Sequence, residues 1–206
     1  MSIKVGSAFS GIGAWEKAFD RLGMKYELKW FFEKDKYALT AYCAIHDVNE
    51  NLNKGDITEI NVDDLEDIDV FVYSPPCQAF SVAGKRLGVK DPRGTLFYYA
   101  LPIIESKKPK YALMENVKGL TTKGMKNLFK DMLEELEKLG YNNYWQVLNS
   151  KDYGIPQNRE RIYVISIRKD IDDGSFTFPA PLPDNGVRLK NLLENEVEEK
   201  YYINNE

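Results

Sequence analysis

Short apolar segments alternate along this chain with segments of helical periodicity. The apolar segments, each predicted to form a strand, are Ile3 to Ala8, Leu28 to Phe32, Asp69 to Tyr73, Tyr111 to Met114 and Arg161 to Ile167. Helices are predicted from about Ala14, near Lys36 to Ile45, over Thr95 to Ser106 and from Met125 to Leu139, before Gly140. This alternation is typical of an α/β protein with a mostly parallel twisted sheet and helices on both faces.

The length of 206 residues fits one domain over residues 1–206, which can bury a sizeable core. After Arg168 the pattern weakens, so residues from about 170 to 206 are predicted to be an irregular extension with one short helix between Val187 and Val197. No apolar run approaches the roughly 20 residues that cross a bilayer, so no membrane is expected as a partner.

Two cysteines, Cys43 and Cys77, do not make a disulfide framework, which favours a cytoplasmic protein with reduced thiols. The single histidine, His46, and the absence of clustered ligands predict no metal site. Cys43 and His46 fall on the second predicted helix, where packing or solvent exposure is expected of both. The net charge of −4 argues against a nucleic-acid binder acting alone, because phosphate contacts usually need a basic surface.

One cysteine follows a predicted strand on a stiff turn, in the segment Ser74-Pro75-Pro76-Cys77-Gln78. Proline restricts both its own φ and the residue before it, so the Cys77 thiol is held in a preset position. Such rigidity suits a nucleophile. A small buried hydrophobe is the alternative, because free cysteine often has that role.

A glycine turn, Phe9-Ser10-Gly11-Ile12-Gly13, follows the first strand, and Glu33 ends the second. Glycines let a ligand approach the backbone, and an acid about 20 positions onward is suited to ribose hydroxyls. Trp15 and Glu16 stand where a third glycine would complete a dinucleotide fingerprint, so a single nucleoside-like cofactor fits better. An ordinary strand-to-helix turn is the alternative.

Three further segments carry candidate chemistry. Gly55-Asp56-Ile57-Thr58 offers a carboxylate and an apolar face for an adenine ring, or is simply a turn or helix cap. Glu115 is expected beside the Cys77 turn, where partial desolvation would raise the pKa of its carboxyl, unless it is a solvated strand-end acid. In Gln157-Asn158-Arg159-Glu160-Arg161 two guanidinium groups share one face, for carbonyl or phosphate recognition or as a solvated edge.

Taken together and in this order, these segments resemble the C5-cytosine DNA methyltransferase family over about Ile3 to Tyr202. The matching pieces are Phe9-x-Gly11-x-Gly13, Glu33, Gly55-Asp56-Ile57, Pro76-Cys77-Gln78-Ala79-Phe80-Ser81, Arg93-Gly94-Thr95-Leu96-Phe97, Glu115-Asn116-Val117 and Gln157-x-Arg159-x-Arg161. The resemblance implies a Rossmann-like fold of the S-adenosylmethionine-dependent methyltransferases. It also implies double-stranded DNA as substrate and S-adenosylhomocysteine as product.

By this resemblance, Glu33 holds the cofactor's ribose, while Asp56 and Ile57 hold its adenine. The remaining implied cofactor-binding residues are Phe9, Gly11, Ile12, Gly13, Pro76 and Leu96. Lys34 departs from the family pattern, in which an apolar or aromatic residue often lies against the adenine. The aliphatic stem of Lys34 could still cover the ring.

The resemblance also implies a catalytic group. Cys77 attacks C6 of a cytosine that has been rotated out of the duplex, and Glu115 engages N3 and the exocyclic amine. Arg161, with Arg159 near it, meets the base O2 or the adjoining phosphate. Gln78 and Asn116 adjoin these residues and are assigned to the same group.

Family members continue beyond the equivalent of Tyr202 into a DNA-reading domain and a final motif. We therefore expect a second polypeptide to carry both parts, in a split enzyme of a bacterial or phage-infected cytoplasm. A truncated piece of a longer enzyme fits nearly as well. The other open alternatives are a non-catalytic cofactor-binding or assembly subunit and a tRNA cytosine-5 methyltransferase. A nucleotide-dependent oxidoreductase would need the complete dinucleotide fingerprint.

Overall fold

The computed structural model describes residues 2–76 and 96–202. Cys77 and Gln78 lie outside the described residues. The strands are β1 (Ile3–Ala8), β2 (Tyr26–Phe32), β3 (Val70–Tyr73), β4 (Tyr111–Val117), β5 (Tyr141–Asn149) and β6 (Glu160–Arg168). The helices are α1 (Ala14–Arg21), α2 (Lys36–His46), α3 (Leu96–Lys107) and α4 (Lys126–Lys138).

The six strands form one sheet in the order β2-β1-β3-β4-β6-β5. The first four are parallel, and their carboxyl ends meet at one edge, where Ala8 pairs with both Phe32 and Tyr73. β4 continues past the end of β3 because antiparallel β6 pairs with it up to Val117, opposite Arg161. The amino end of β6 therefore lies at the same edge as the carboxyl ends of the parallel strands.

Side chains alternate across the sheet and bury both faces. Phe71 and Tyr73 of β3 belong to the larger core cluster, together with residues of α3 and α4 such as Ile103 and Leu136. On the other face, Val70 and Val72 pack with Phe19 of α1. α2 covers the same face as α1, since Tyr42 stacks on Phe31 of β2, with ring centroids 4.2 Å apart. The predicted α/β fold with helices on both faces is confirmed.

The predicted elements agree with the structure to within a few residues, with two differences. β5 was not predicted, because its sequence is rich in asparagine and shows no clear apolar alternation. The direction of β6 was not predicted either, and its antiparallel pairing with β4 and β5 makes the sheet mixed at that side.

Residues after β6 contain little regular structure. The described part of this region has two 3₁₀ turns, at Leu189–Asn191 and Glu199–Tyr201. The first lies inside the segment predicted to hold a short helix. Among the helices within residues 2–76 and 96–202, none combines the length and apolar character needed to cross a bilayer.

Candidate functional site

A cavity opens at the carboxyl edge of the sheet, between the ends of β1, β2 and β3. Its lining consists of Phe9, Phe32, Glu33, Lys34, Gly55, Asp56, Ile57, Ser74, Pro76 and Leu96. Six of the residues predicted to bind a cofactor are therefore brought together, although they come from five separate stretches of sequence. Gly11, Ile12 and Gly13 lie in the neighbouring turn and do not line this cavity.

Glu33 joins the cavity to the glycine turn. One carboxylate oxygen, Oε2, accepts a hydrogen bond from the Gly11 amide at 2.8 Å, and Oε1 accepts one from the Asp35 amide at 2.8 Å. Each oxygen keeps a further lone pair for an external donor such as a sugar hydroxyl. The turn amide of Gly11 is already committed to a carboxylate, so this turn is poorly suited to bind a phosphate.

Asn53 supports Glu33 and was not identified from the sequence. Its Nδ2 donates to the Glu33 carbonyl at 2.9 Å, and its Oδ1 accepts from the Glu33 amide at 3.0 Å and from the Gly55 amide at 3.1 Å. A single side chain thus links the end of β2 to the segment that carries Asp56. No local signal marks it, because Asn53 is 20 residues from Glu33 in sequence.

Asp56 lies at the far side of the cavity and caps a short 3₁₀ turn. Its Oδ1 accepts from the amide and hydroxyl of Thr58, both at 3.0 Å, and its Oδ2 forms an ion pair with Lys34 at 3.2 Å. The Thr58 hydrogen bonds, more than the Lys34 charge, hold the pKa of Asp56 below its usual value. Ile57 is buried beside it. Asp56 therefore does cap this turn, as the sequence allowed. The same hydrogen bonds favour the ionised form of its carboxyl at the cavity.

Positive φ angles shape the turn that follows β1. Phe9, at 55°, and Gly13, at 82°, both adopt the left-handed region. The turn is closed by the Gly13 amide, which donates to the Ser10 carbonyl at 2.8 Å, and tied to β2 by the Ser10 amide, which donates to the Phe32 carbonyl at 3.1 Å. Phe9 consequently lies over the cavity, while Ile12 points its side chain outward and is 57% exposed.

A second group of predicted residues meets where β4 and β6 pair. Arg161 Nε lies 3.0 Å from Glu115 Oε1, and both side chains are 22% exposed. Burial raises the pKa of Glu115, and the positive charges of Arg161 and Arg159 oppose that shift without cancelling it. The pKa shift predicted for a desolvated strand-end acid is thus present. Arg159 precedes β6 and its side chain is exposed.

The loop that leads to Cys77 is anchored at two points. Asn116 Nδ2 donates to the Pro75 carbonyl at 3.1 Å, and Asn116 is only 6% exposed. Trp15 Nε1 donates to Ser74 Oγ at 3.1 Å. The Trp15 ring also meets Tyr163 edge to face, with centroids 6.0 Å apart. In the sequence, Trp15 was considered only because it stands where a dinucleotide fingerprint would have a third glycine. Its role in holding the loop was not predicted, because its partner Ser74 is 59 residues away in sequence.

The described residues contain no group of three or more His, Cys, Asp or Glu side chains that could hold a metal ion. The cavity instead combines apolar side chains with two carboxylates and Lys34, and the neighbouring glycine turn contains no basic residue. A nucleoside without phosphates fits this donor and acceptor set.

Solved structures share this architecture. The Dnmt2 methyltransferase of S. pombe is 25% identical and superimposes with a TM-score of 0.76, over 97% of this chain and 63% of that one. The methyltransferase EhMeth of Entamoeba histolytica superimposes with a TM-score of 0.81 at 23% identity, over 99% of this chain and 63% of that one. The fold is therefore the Rossmann-like fold of S-adenosylmethionine-dependent methyltransferases.

The sequence comparison is more specific. The family model described as C-5 cytosine-specific DNA methylase matches residues 3–206. The orphan methyltransferase M.Rho11sI of Bacillus phage rho11s is 41% identical, over 99% of this chain and 46% of the relative. The type II methyltransferase M.HaeII of Haemophilus aegyptius is 41% identical, over 96% of this chain and 60% of the relative.

This chain belongs to the C-5 cytosine-specific DNA methylase family. It spans between about half and three fifths of the length of these two relatives.

Proposed function

We propose that this chain is the catalytic part of a DNA (cytosine-5-)-methyltransferase that uses S-adenosylmethionine. Family membership supports the reaction class. The observation that carries the proposal is the meeting of Glu115 and Arg161 at the same sheet edge as the Glu33 cavity, next to the loop that leads to Cys77.

The cavity fits the cofactor by its donor set. Glu33 would hold the ribose hydroxyls with its remaining lone pairs, and Asp56 would accept from the adenine amino group. Phe9, Ile57 and Leu96 supply apolar contact. When bound there, S-adenosylmethionine supplies an activated methyl group. The Lys34–Asp56 ion pair occupies one side of the adenine site, so the stem of Lys34 is available to cover the ring.

Glu115 would act on the target cytosine. Because burial raises the pKa of its carboxyl, Glu115 is better able than a solvated glutamate to keep a proton and donate it to the ring N3. Arg161 holds the Glu115 carboxyl in position through its Nε, which leaves other guanidinium donors for the base O2 or the adjoining phosphate.

Cys77 would provide the nucleophile. In this proposal its thiolate forms a bond to cytosine C6, and the proton from Glu115 balances the charge at N3. The base becomes nucleophilic at C5, which would accept the methyl group that S-adenosylmethionine supplies. Loss of the C5 proton to solvent and return of the N3 proton to Glu115 would then allow the bond between C6 and sulfur to break, which restores the thiolate. Asn116 and Trp15 would serve this step as positioning residues, since both anchor the residues just before Cys77.

A trapping experiment tests the chemistry. The chain is incubated with S-adenosylmethionine and DNA containing 5-fluorocytosine, both alone and with the product of the adjacent reading frame. We expect a covalent adduct that resists denaturation and disappears in Cys77→Ala, while Cys43→Ala still forms it. A non-catalytic subunit would form no adduct in any combination, which would overturn the proposal.

The substrate is tested in parallel. Duplex DNA and tRNA carrying 5-fluorocytosine are offered at equal concentration, and preferential trapping of the DNA is expected. Preferential trapping of the tRNA would favour the RNA alternative, with which the likeness to the Dnmt2 methyltransferase of S. pombe is compatible.

We also propose that DNA recognition needs protein beyond these 206 residues. The net charge of −4 and the greater length of the relatives support this. That a second polypeptide carries the DNA-recognition part stays a prediction. Strong sequence-specific methylation by this chain alone would contradict it.

A further inference from the structure

Behind the glycine turn, the last residue of α2 contacts the turn backbone directly. The His46 side chain is 3% exposed, and its Nε2 lies 3.1 Å from the Ile12 carbonyl oxygen. A carbonyl oxygen can only accept a hydrogen bond, so the geometry assigns the proton to Nε2. The one histidine of the chain is therefore committed to the turn that adjoins the cavity.

The turn is shaped to receive this ring. Gly13 has a φ of 82°, and a Cβ at this position would collide with the His46 ring and lie 2.9 Å from Tyr42 Cε2. Any larger residue would both strain the backbone and displace the imidazole. Gly13 thus permits α2 to pack close enough for His46 to reach the neighbouring carbonyl.

The His46 ring is itself held from behind. Tyr42 lies one helical turn earlier on α2, with ring centroids 4.8 Å apart, and stacks in turn on Phe31. Burial is the main cause of the raised pKa of Tyr42, and the charge of Glu16 adds to it. The Tyr42 hydroxyl therefore stays neutral. Glu16, whose charge acts on Tyr42, is 1% exposed on α1.

We propose that His46 is a positioning residue for cofactor binding. By donating to the Ile12 carbonyl, His46 fixes the peptide between Ile12 and Gly13 and keeps the turn in the form that presents the Gly11 amide to Glu33. Through this contact, α2 and the end of β2 hold the turn from two sides. The inference rests on the proposed function only for the identity of the ligand.

Two substitutions separate the hydrogen bond from the packing. His46→Leu keeps an apolar side chain in the space but removes the donor, whereas His46→Gln places an amide donor at a similar distance along the side chain. Ile45→Ala, at a position on α2 that is 46% exposed, is the control. Thermal unfolding of all three variants establishes that they fold.

Binding of S-adenosylhomocysteine is measured by calorimetry. Because the Ile12 carbonyl loses its side-chain donor in His46→Leu, we expect binding to weaken roughly tenfold, while His46→Gln and Ile45→Ala stay within about threefold of the parent. Equal binding by the parent and His46→Leu would overturn the inference. So would equal losses in the leucine and glutamine variants, since the ring would then act by packing.

A second measurement needs no ligand. The Gly13 amide closes the turn by donating to the Ser10 carbonyl, so its hydrogen exchange reports the turn directly. We expect faster exchange at Gly13 in His46→Leu than in His46→Gln or the parent, and unchanged exchange would overturn the inference. If the parent does not bind S-adenosylhomocysteine but Gly13 exchange responds as expected, the proposed function fails and the positioning role stands.

Discussion

Replacing Glu33 by glutamine tests the link between the cavity and the glycine turn. The Glu33 carboxylate accepts one amide hydrogen bond on each oxygen, from Gly11 and from Asp35, both at 2.8 Å. Glutamine has a single acceptor oxygen, so in Glu33→Gln one of these amides faces an NH₂ group instead. The substitution is nearly isosteric, which confines the change to charge and hydrogen bonding.

The expected loss of stability follows from the number of amide hydrogen bonds that the substitution of Glu33 removes. One hydrogen bond to a charged group contributes about 1.5–3 kcal/mol, and the remaining bond becomes a weaker neutral one. For a chain of this size, about 2 kcal/mol lowers the Tm by roughly 4–8 °C. Because the turn and the proposed ribose site share this carboxylate, S-adenosylhomocysteine binding should weaken by at least about tenfold, for which 1.4 kcal/mol suffices.

Differential scanning calorimetry and titration with S-adenosylhomocysteine measure both effects. Glu105→Gln is the matched control, because Glu105 is an exposed residue of α3, and we expect it to change neither quantity. If Glu33→Gln keeps the parent Tm and affinity, the two amide hydrogen bonds do not hold the turn and the argument for the ribose site fails.

Two further predictions concern the edge where β4 ends. In Asn116→Leu the Pro75 carbonyl loses its side-chain donor in a buried place, so the free energy of unfolding measured in urea should fall by about 1–3 kcal/mol; an unchanged value would show that the loop is held elsewhere. Burial raises the pKa of Glu115, so the folded chain binds this proton more tightly than the unfolded chain. The parent should therefore lose stability relative to Glu115→Gln as pH rises from the usual glutamate range through the raised pKa, and a difference in urea unfolding that does not vary with pH would contradict this.

The elements of the fold were largely predictable because their signals are local. The apolar run at β3 and the amphipathic spacing of α4 each lie within a few consecutive residues. β5 was not predicted, because it lies at the edge of the sheet and its own composition does not mark it as a strand. Its pairing with β6 makes it one. The direction of β6 likewise depends on pairing with β4, which no residue within β6 encodes.

Individual site residues were predictable where the residue type itself limits the chemistry. Glu33 after a glycine turn and Cys77 after two prolines are such cases. The structure places Glu33 at the cavity, and the roles of both residues stay predictions. Asn53 and Trp15 were not identified, since each acts through a partner far away in sequence. An asparagine or a tryptophan has many possible roles, and only the partner selects among them.

The amino-acid sequence by itself determined the kinds of group available and their order along the chain, because turn geometry and strand and helix patterns depend on neighbouring residues. The tertiary structure decided which groups meet. Strand register brings Arg161 to Glu115, 46 positions earlier in the sequence, and burial at that contact raises the pKa of the carboxyl. Helix packing buries His46 against the Ile12 carbonyl. Register and burial are properties of the assembled sheet and helices, so these contacts could not be inferred from local sequence.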